Sequence, residues 1–113
     1  MALKMKSPLD HGAADLIAGR FRALSDPTRL RILDQLRQHA ELSVGELTEA
    51  LGGSQQNISK HLSALRAGGF VSSRKQGTST LYRISDPAVI DLCDSVCAAI
   101  ETQLNEMGAL LAR

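Results

Sequence analysis

The residues with the clearest chemistry lie in the stretch Ser54-Gln55-Gln56-Asn57-Ile58-Ser59-Lys60-His61-Leu62-Ser63. It joins carboxamides, hydroxyls and an amine, and it contains no carboxylate. A Gln or Asn carboxamide can bond an adenine edge twice in the DNA major groove, and a lysine can reach guanine or phosphate. Ile58, Leu62 and Leu65 recur at i, i+4 and i+7, which makes one stripe of a helix. At about 100° per residue, Gln56, Lys60 and Ser63 then point away from that stripe, flanked by Asn57 and Ser59. The plain alternative is a solvated surface helix. Such helices commonly mix Glu with Lys for support, and this one has no acid. The candidate contact residues are therefore Ser54, Gln55, Gln56, Asn57, Ser59, Lys60, His61 and Ser63. His61 falls at the edge of the face, where phosphate contact and packing are equally open.

A second basic group follows. Arg74 and Lys75 precede the turn Gln76-Gly77-Thr78-Ser79, and Arg83 follows it. A hairpin carrying cations next to such a helix would touch the phosphate backbone or the minor groove, with Gly77 and Thr78 at its tip. The charge distribution agrees. Net charge is only +1, yet residues 52–85 hold five Lys/Arg and no acid, while residues 86–113 hold five acids and one Arg. A basic middle beside an acidic tail segment reads as a footprint for a polyanion.

The third group is Cys93 and Cys97, which share a helix face at i and i+4. They lie on an apolar stripe with Val89, Val96, Ile100, Leu104, Met107 and Leu111, spaced like a packing seam. One reading buries both thiols as small hydrophobes in a dimer interface. The other makes them an effector site, where two chains about a two-fold axis would gather four thiols for a thiophilic ion or for oxidation. His11 and His39 fall at expected helix ends and read as exposed. A nickel or zinc site recruiting His11 is a minor alternative.

These residues need elements to hold them. A helix over about 12–24 carries Leu16, Ile17, Phe21 and Leu24 on one stripe. Asp26-Pro27 pairs an N-cap with a proline at the first helical position, opening a second helix with Leu30, Ile32, Leu33 and Leu36 inward. Ser43-Val44-Gly45-Glu46 is a capping box for a short third helix, with Leu47, Ala50 and Leu51 toward the core. Gly52-Gly53 ends it, Ser54 caps a fourth helix to Ala67, and Gly68-Gly69 stops that one. Phe70–Lys75 and Thr80–Ile84 then read as strands. Asp86-Pro87 opens a last helix to about Leu111. Two short helices across a glycine turn, then a basic hairpin, is winged helix-turn-helix geometry. The expected fold is mostly α with a small hairpin. Residues 1–113 form one domain, with the helix-turn-helix at about 44–67, the wing at about 70–84 and a dimerisation helix at about 87–111.

Composition sets the bounds. A chain of 113 residues fits one domain with a thin core. Aromatic residues make up 3%, too few for base-stacking platforms of the single-strand-binding kind. Two cysteines make no disulfide framework, and no apolar run is long enough for a membrane span or an export signal. The expectation is a cytoplasmic protein with reduced thiols. No acid/base pair, nucleophile elbow or phosphate loop appears, so the chain does not read as an enzyme.

The stretches Ala23-Leu24-Ser25-Asp26-Pro27-Thr28-Arg29-Leu30-Arg31-Ile32-Leu33 and Ser54-Gln55-Gln56-Asn57-Ile58-Ser59-Lys60-His61-Leu62, with Gly77-Thr78 and Leu81-Tyr82, resemble the ArsR/SmtB family of bacterial repressors. The resemblance runs from roughly Ile17 to Ile100. It implies a winged helix that dimerises through its first and last helices, Leu16 included, and represses a promoter until a metal ion or oxidant is sensed. The implied partners are double-stranded operator DNA and a second copy of the chain, with no membrane. The sensing motifs depart from the pattern. Where metalloid sensors carry Cys-x-Cys, this chain has Ser43 and Gly45. Of the zinc-sensor positions only Asp86 survives, beside Ala88, Ala99 and Thr102, and Asp86 is better explained as a helix cap. No cofactor is demanded, and a thiophilic metal or metalloid ion at Cys93 and Cys97 is the one candidate. A constitutive DNA-binding regulator with purely structural cysteines is the alternative.

Overall fold

The computed structural model describes Met5 and residues 7–112. Helix α1 (His11–Leu24) starts at Asp10, whose carboxylate accepts the Ala13 N–H at 2.7 Å. Asp26 caps α2 (Pro27–Gln38), accepting the N–H groups of Thr28 and Arg29. A two-residue strand, β1 (Leu42–Ser43), follows. Ser43 also opens α3 (Val44–Leu51). Its Oγ accepts the Glu46 N–H at 3.1 Å, while the Glu46 carboxylate accepts the Ser43 N–H at 2.9 Å. This reciprocal pair satisfies two amides that a helix start leaves without partners. Gly52 ends α3 at φ 83°, a conformation side chains resist. Ser54 then caps α4 (Gln55–Ala67), accepting the Asn57 N–H at 3.1 Å.

The wing is β2 (Val71–Gln76) and β3 (Ser79–Ile84), joined by Gly77-Thr78. Gly77 has φ 65° and no other residue type takes a positive φ among the described residues. A glycine of that kind at the first of two loop positions matches a type II′ turn, whose twist suits a hairpin. The last helix is α5 (Ala88–Leu111), one residue later than Asp86-Pro87 suggested. Pro87 holds the N-cap position without a side-chain bond, and Asp86 just before it accepts the Ala88 N–H on Oδ1 at 3.0 Å.

The expected five helices and hairpin are present, and a third strand joins them. β1 pairs antiparallel with β3, giving the order β1-β3-β2. Inside this frame Leu24, Ile32, Leu33, Leu36, Leu42, Leu47, Ile58, Leu62, Leu65, Val71 and Val89 form the core. Each such side chain contributes roughly 2 kcal/mol by leaving water.

Two inward assignments, Leu30 and Ala50, and one seam assignment, Val89, are corrected. Leu30 is exposed beside buried Ile32 and Leu33, because it lines the open groove between α1 and α5 rather than pointing into the body. Ala50 is exposed on the outer side of α3. On α1 only Leu24 is buried, while Leu16 and Phe21 face solvent. Val89, expected in the dimer seam, is 3% exposed and belongs to the chain's own core. The stripe on α5 therefore changes partner along its length. Its first turns pack on the body, through Val89, Ile90 and Leu92. Beyond them Val96, Ile100, Leu104, Met107 and Leu111 are exposed. A radius of gyration of 17.1 Å, against about 13 Å for a globular chain of this length, reflects this long arm.

Candidate nucleic-acid interface

Helix α4 turns Ile58, Leu62 and Leu65 inward, where all three are buried. Ser54, Gln55, Gln56, Asn57, Lys60 and Ser63 are exposed, and Ser59 is half-buried. The first turn holds no acid. The positive end of the helix dipole is thus not offset by a carboxylate of its own turn, which favours an approaching phosphate.

His61 is placed differently from the rest. Its side chain is only 13% exposed and Nδ1 accepts a hydrogen bond from Arg29 Nε at 3.1 Å. Arg29 Nη1 also donates to the Ala23 carbonyl at 3.3 Å, and Asp26 lies 4.0 Å from His61 Nδ1. His61 thus ties α4 to the α1–α2 junction and is turned away from the contact face. At the C-terminal end of α4, Arg20 Nη1 donates to the Ala67 carbonyl at 3.3 Å. Helix α4 is thus held at its middle and at its C-terminal end by arginines from other helices. The sequence pattern gave no sign of these partners, since neither bond follows a local spacing.

The wing splits its cations. Residues paired directly across an antiparallel ladder share a sheet face, and faces alternate along each strand. Pairs Ser72↔Arg83 and Arg74↔Leu81 put Arg74 and Arg83 on one face. Lys75↔Thr80 lies on the other, with Val71, Tyr82 and Ile84. Arg74 is not a free cation. Its Nε and Nη2 donate to Glu41 Oε2 and Oε1, each at 2.7 Å. That bidentate pairing holds the Glu41 carboxyl below its usual range and raises the Arg74 guanidinium. Lys75, Gly77, Thr78 and Arg83 are exposed.

Both thiols lie on α5. Cys93 is half-buried and Cys97 exposed, both lining an apolar groove of about 910 Å³ with Phe21, Leu30, Leu33, Val96 and Ile100. Burial pushes the Cys93 thiol up, and the neighbouring Asp94 charge adds to this. Among the described residues no three His, Cys, Asp or Glu side chains gather as a metal site. His11 and His39 are exposed at the start of α1 and the end of α2.

Comparison with known proteins places this geometry. A helix-turn-helix domain model matches residues 24–74. The chain is 45% identical over 78 residues to a probable mercury resistance operon repressor of Streptomyces lividans, covering 69% of this chain and 62% of that protein. It is 41% identical over 88 residues to the transcriptional regulator NmtR of Mycobacterium tuberculosis, covering 78% of this chain and 72% of that one. Among solved structures it is similar to a homodimeric winged helix-turn-helix DNA-binding domain from Mycobacterium bovis, described as a possible ArsR-family regulator. The TM-score is 0.73 at 32% identity, over 88% of this chain and 91% of the other. An acid-free recognition helix, a basic wing and these relatives lead to one assignment: the chain belongs to the ArsR/SmtB family of winged helix-turn-helix DNA-binding transcriptional regulators.

Proposed function

We propose that the chain is a cytoplasmic homodimeric repressor that reads an inverted-repeat operator with α4. The observation that carries this is the outward face of α4, where Gln56, Asn57, Lys60 and Ser63 are exposed and no acid interrupts them. Gln56 and Asn57 supply base-edge contacts, and Lys75 and Arg83 in the wing supply phosphate contacts. The exposed apolar faces of α1 and α5 supply the dimer, with Leu16, Val96, Ile100, Leu104, Met107 and Leu111 in the seam. Its two-fold axis explains an inverted repeat, with half-site centres about 34 Å apart. Footprinting on the promoter of the chain's own operon tests this. Wild type should protect such a repeat, and Gln56→Ala should relax preference at one base pair of each half-site by about 1–3 kcal/mol. An unchanged preference would remove Gln56 from the reading face.

A second reading concerns release. Cys93 and Cys97 line one groove, which favours a response to a thiophilic ion or an oxidant over purely structural thiols. Among the described residues one chain gathers too few ligands for a metal site, so the reading needs both protomers. Two Cβ atoms at i and i+4 are about 6 Å apart, whereas a disulfide wants about 3.8 Å. Oxidation would thus cross the dimer or stop at sulfenic acid. Linkage requires the signal to bind free dimer more tightly than DNA-bound dimer. Operator affinity with and without the reagent, in wild type and in Cys93→Ser/Cys97→Ser, decides the matter. A response that survives in the double variant moves the sensor elsewhere, and no response in either protein leaves a constitutive regulator.

A further inference from the structure

Glu41 stands immediately before β1, and β1 is tied to β3 by the pairs Leu42↔Tyr82 and Ser43↔Leu81. Side chains alternate along a strand, so Glu41 shares the face of Ser43, Leu81, Arg74 and Arg83. This is the outer face of the wing. Glu41 takes two guanidinium N–H groups of Arg74 at 2.7 Å each, in the planar fork geometry that also binds phosphate. Arg74 Nη2 lies 3.4 Å from Gln76 Oε1 as well. Arg83 is close enough for its charge to act on Glu41. The acid-free stretch 52–85 is therefore met, at its wing, by a carboxylate from outside the stretch.

A phosphate group and Glu41 compete for the same donors of Arg74. Phosphates are alike on every DNA sequence, so a free Arg74 would strengthen binding everywhere. We propose that Glu41 is an affinity-limiting residue: it occupies Arg74 and so restrains the sequence-independent part of DNA binding. Preference is then left to the carboxamides of α4. This rests on the reading above, in which the wing meets the DNA backbone.

The test is a salt titration of binding to a mixed-sequence duplex, using the full chain. Glu41→Gln keeps the shape and removes the charge. It should bind several-fold more tightly at low salt, with a log–log salt slope steeper by about 0.9 for each wing engaged. Glu41→Ala should do the same, and the double variant Glu41→Gln/Arg74→Gln should return to the wild-type slope. A purely structural role for the pair would lower thermal stability and leave the slope unchanged. An unchanged slope in Glu41→Gln, or a steeper slope that persists without Arg74, overturns the proposal. A wild type that binds no duplex at any salt overturns the DNA-binding reading itself, a result distinct from either of those.

Discussion

The body around α3, α4 and the wing and the surface formed by α1 and α5 are built on the same kind of apolar periodicity, with opposite outcomes. In the body, Leu47, Ile58, Leu62 and Leu65 are buried and every helix start has a side-chain cap. On the other surface Leu16, Ile100 and Leu104 stand in solvent, Leu104 with 61% of its area exposed. A contiguous apolar face of this length is rare on a monomer and marks an interaction surface. Periodicity reports that a residue avoids water. It does not report whether the chain itself or a second copy supplies the shelter. One half of this molecule is sheltered within a single chain, and the other half leaves its apolar stripe exposed.

The contrast can be broken most directly at Leu62. It is fully buried in one chain, so Leu62→Ala should cost about 2–5 kcal/mol in urea unfolding of the DNA-free protein. A loss under 1 kcal/mol would mean that the body is not the stable unit. Leu104→Asp tests the other half. It should leave helical content intact, yet weaken self-association by about 100-fold or more, giving monomer at micromolar concentration in sedimentation. A variant that stays dimeric would move the seam away from the outer part of α5. A smaller effect is expected for Lys75→Ala, which should reduce the salt slope by about 0.9 per wing and weaken all sequences alike. A loss confined to one operator would give Lys75 a base contact instead.

The smallest effect concerns acid. The Asp26 carboxyl is held below its ordinary value, chiefly by the Arg29 N–H, and that of Glu46 by the Ser43 N–H. Groups shifted in this direction stabilise the fold above their unfolded values and lose that contribution as pH falls through the lowered ones. The melting temperature should therefore decline from about pH 4.5 downward, and Asp26→Asn should flatten the decline. An equally steep decline in the variant would place the acid sensitivity elsewhere.

Much of the fold was legible because its boundaries are local chemistry. Asp26-Pro27, Ser43 with Glu46, and Ser54 each act within four residues, and each marks a helix start in the structure. Strand β1 was not legible. Two residues make no pattern, and only the position of β3 turns them into a strand. The acid-free face of α4 could be read directly, since a helical wheel needs no tertiary knowledge. Arg74 and His61 could not. Their partners, Glu41 and Arg29, lie 33 and 32 residues away in sequence. Counting charges identified the basic stretch but could not subtract an acid that folds back onto it. The same limit misplaced Val89 in the seam, because a stripe has no mark where it leaves the chain's own core.

The strand order β1-β3-β2 has a consequence for what can be cut from this protein. The stretch that matches the helix-turn-helix family model ends at residue 74, inside β2 and before β3 begins. Both outer strands hydrogen-bond to β3 alone. An excised fragment 24–74 would therefore keep the two edges of the sheet and lose its centre, leaving Leu42 and Val71 without the strand that covers them. The segment that the family model matches thus stops short of a complete sheet, and a transplantable DNA reader taken from this chain must run at least through Ile84.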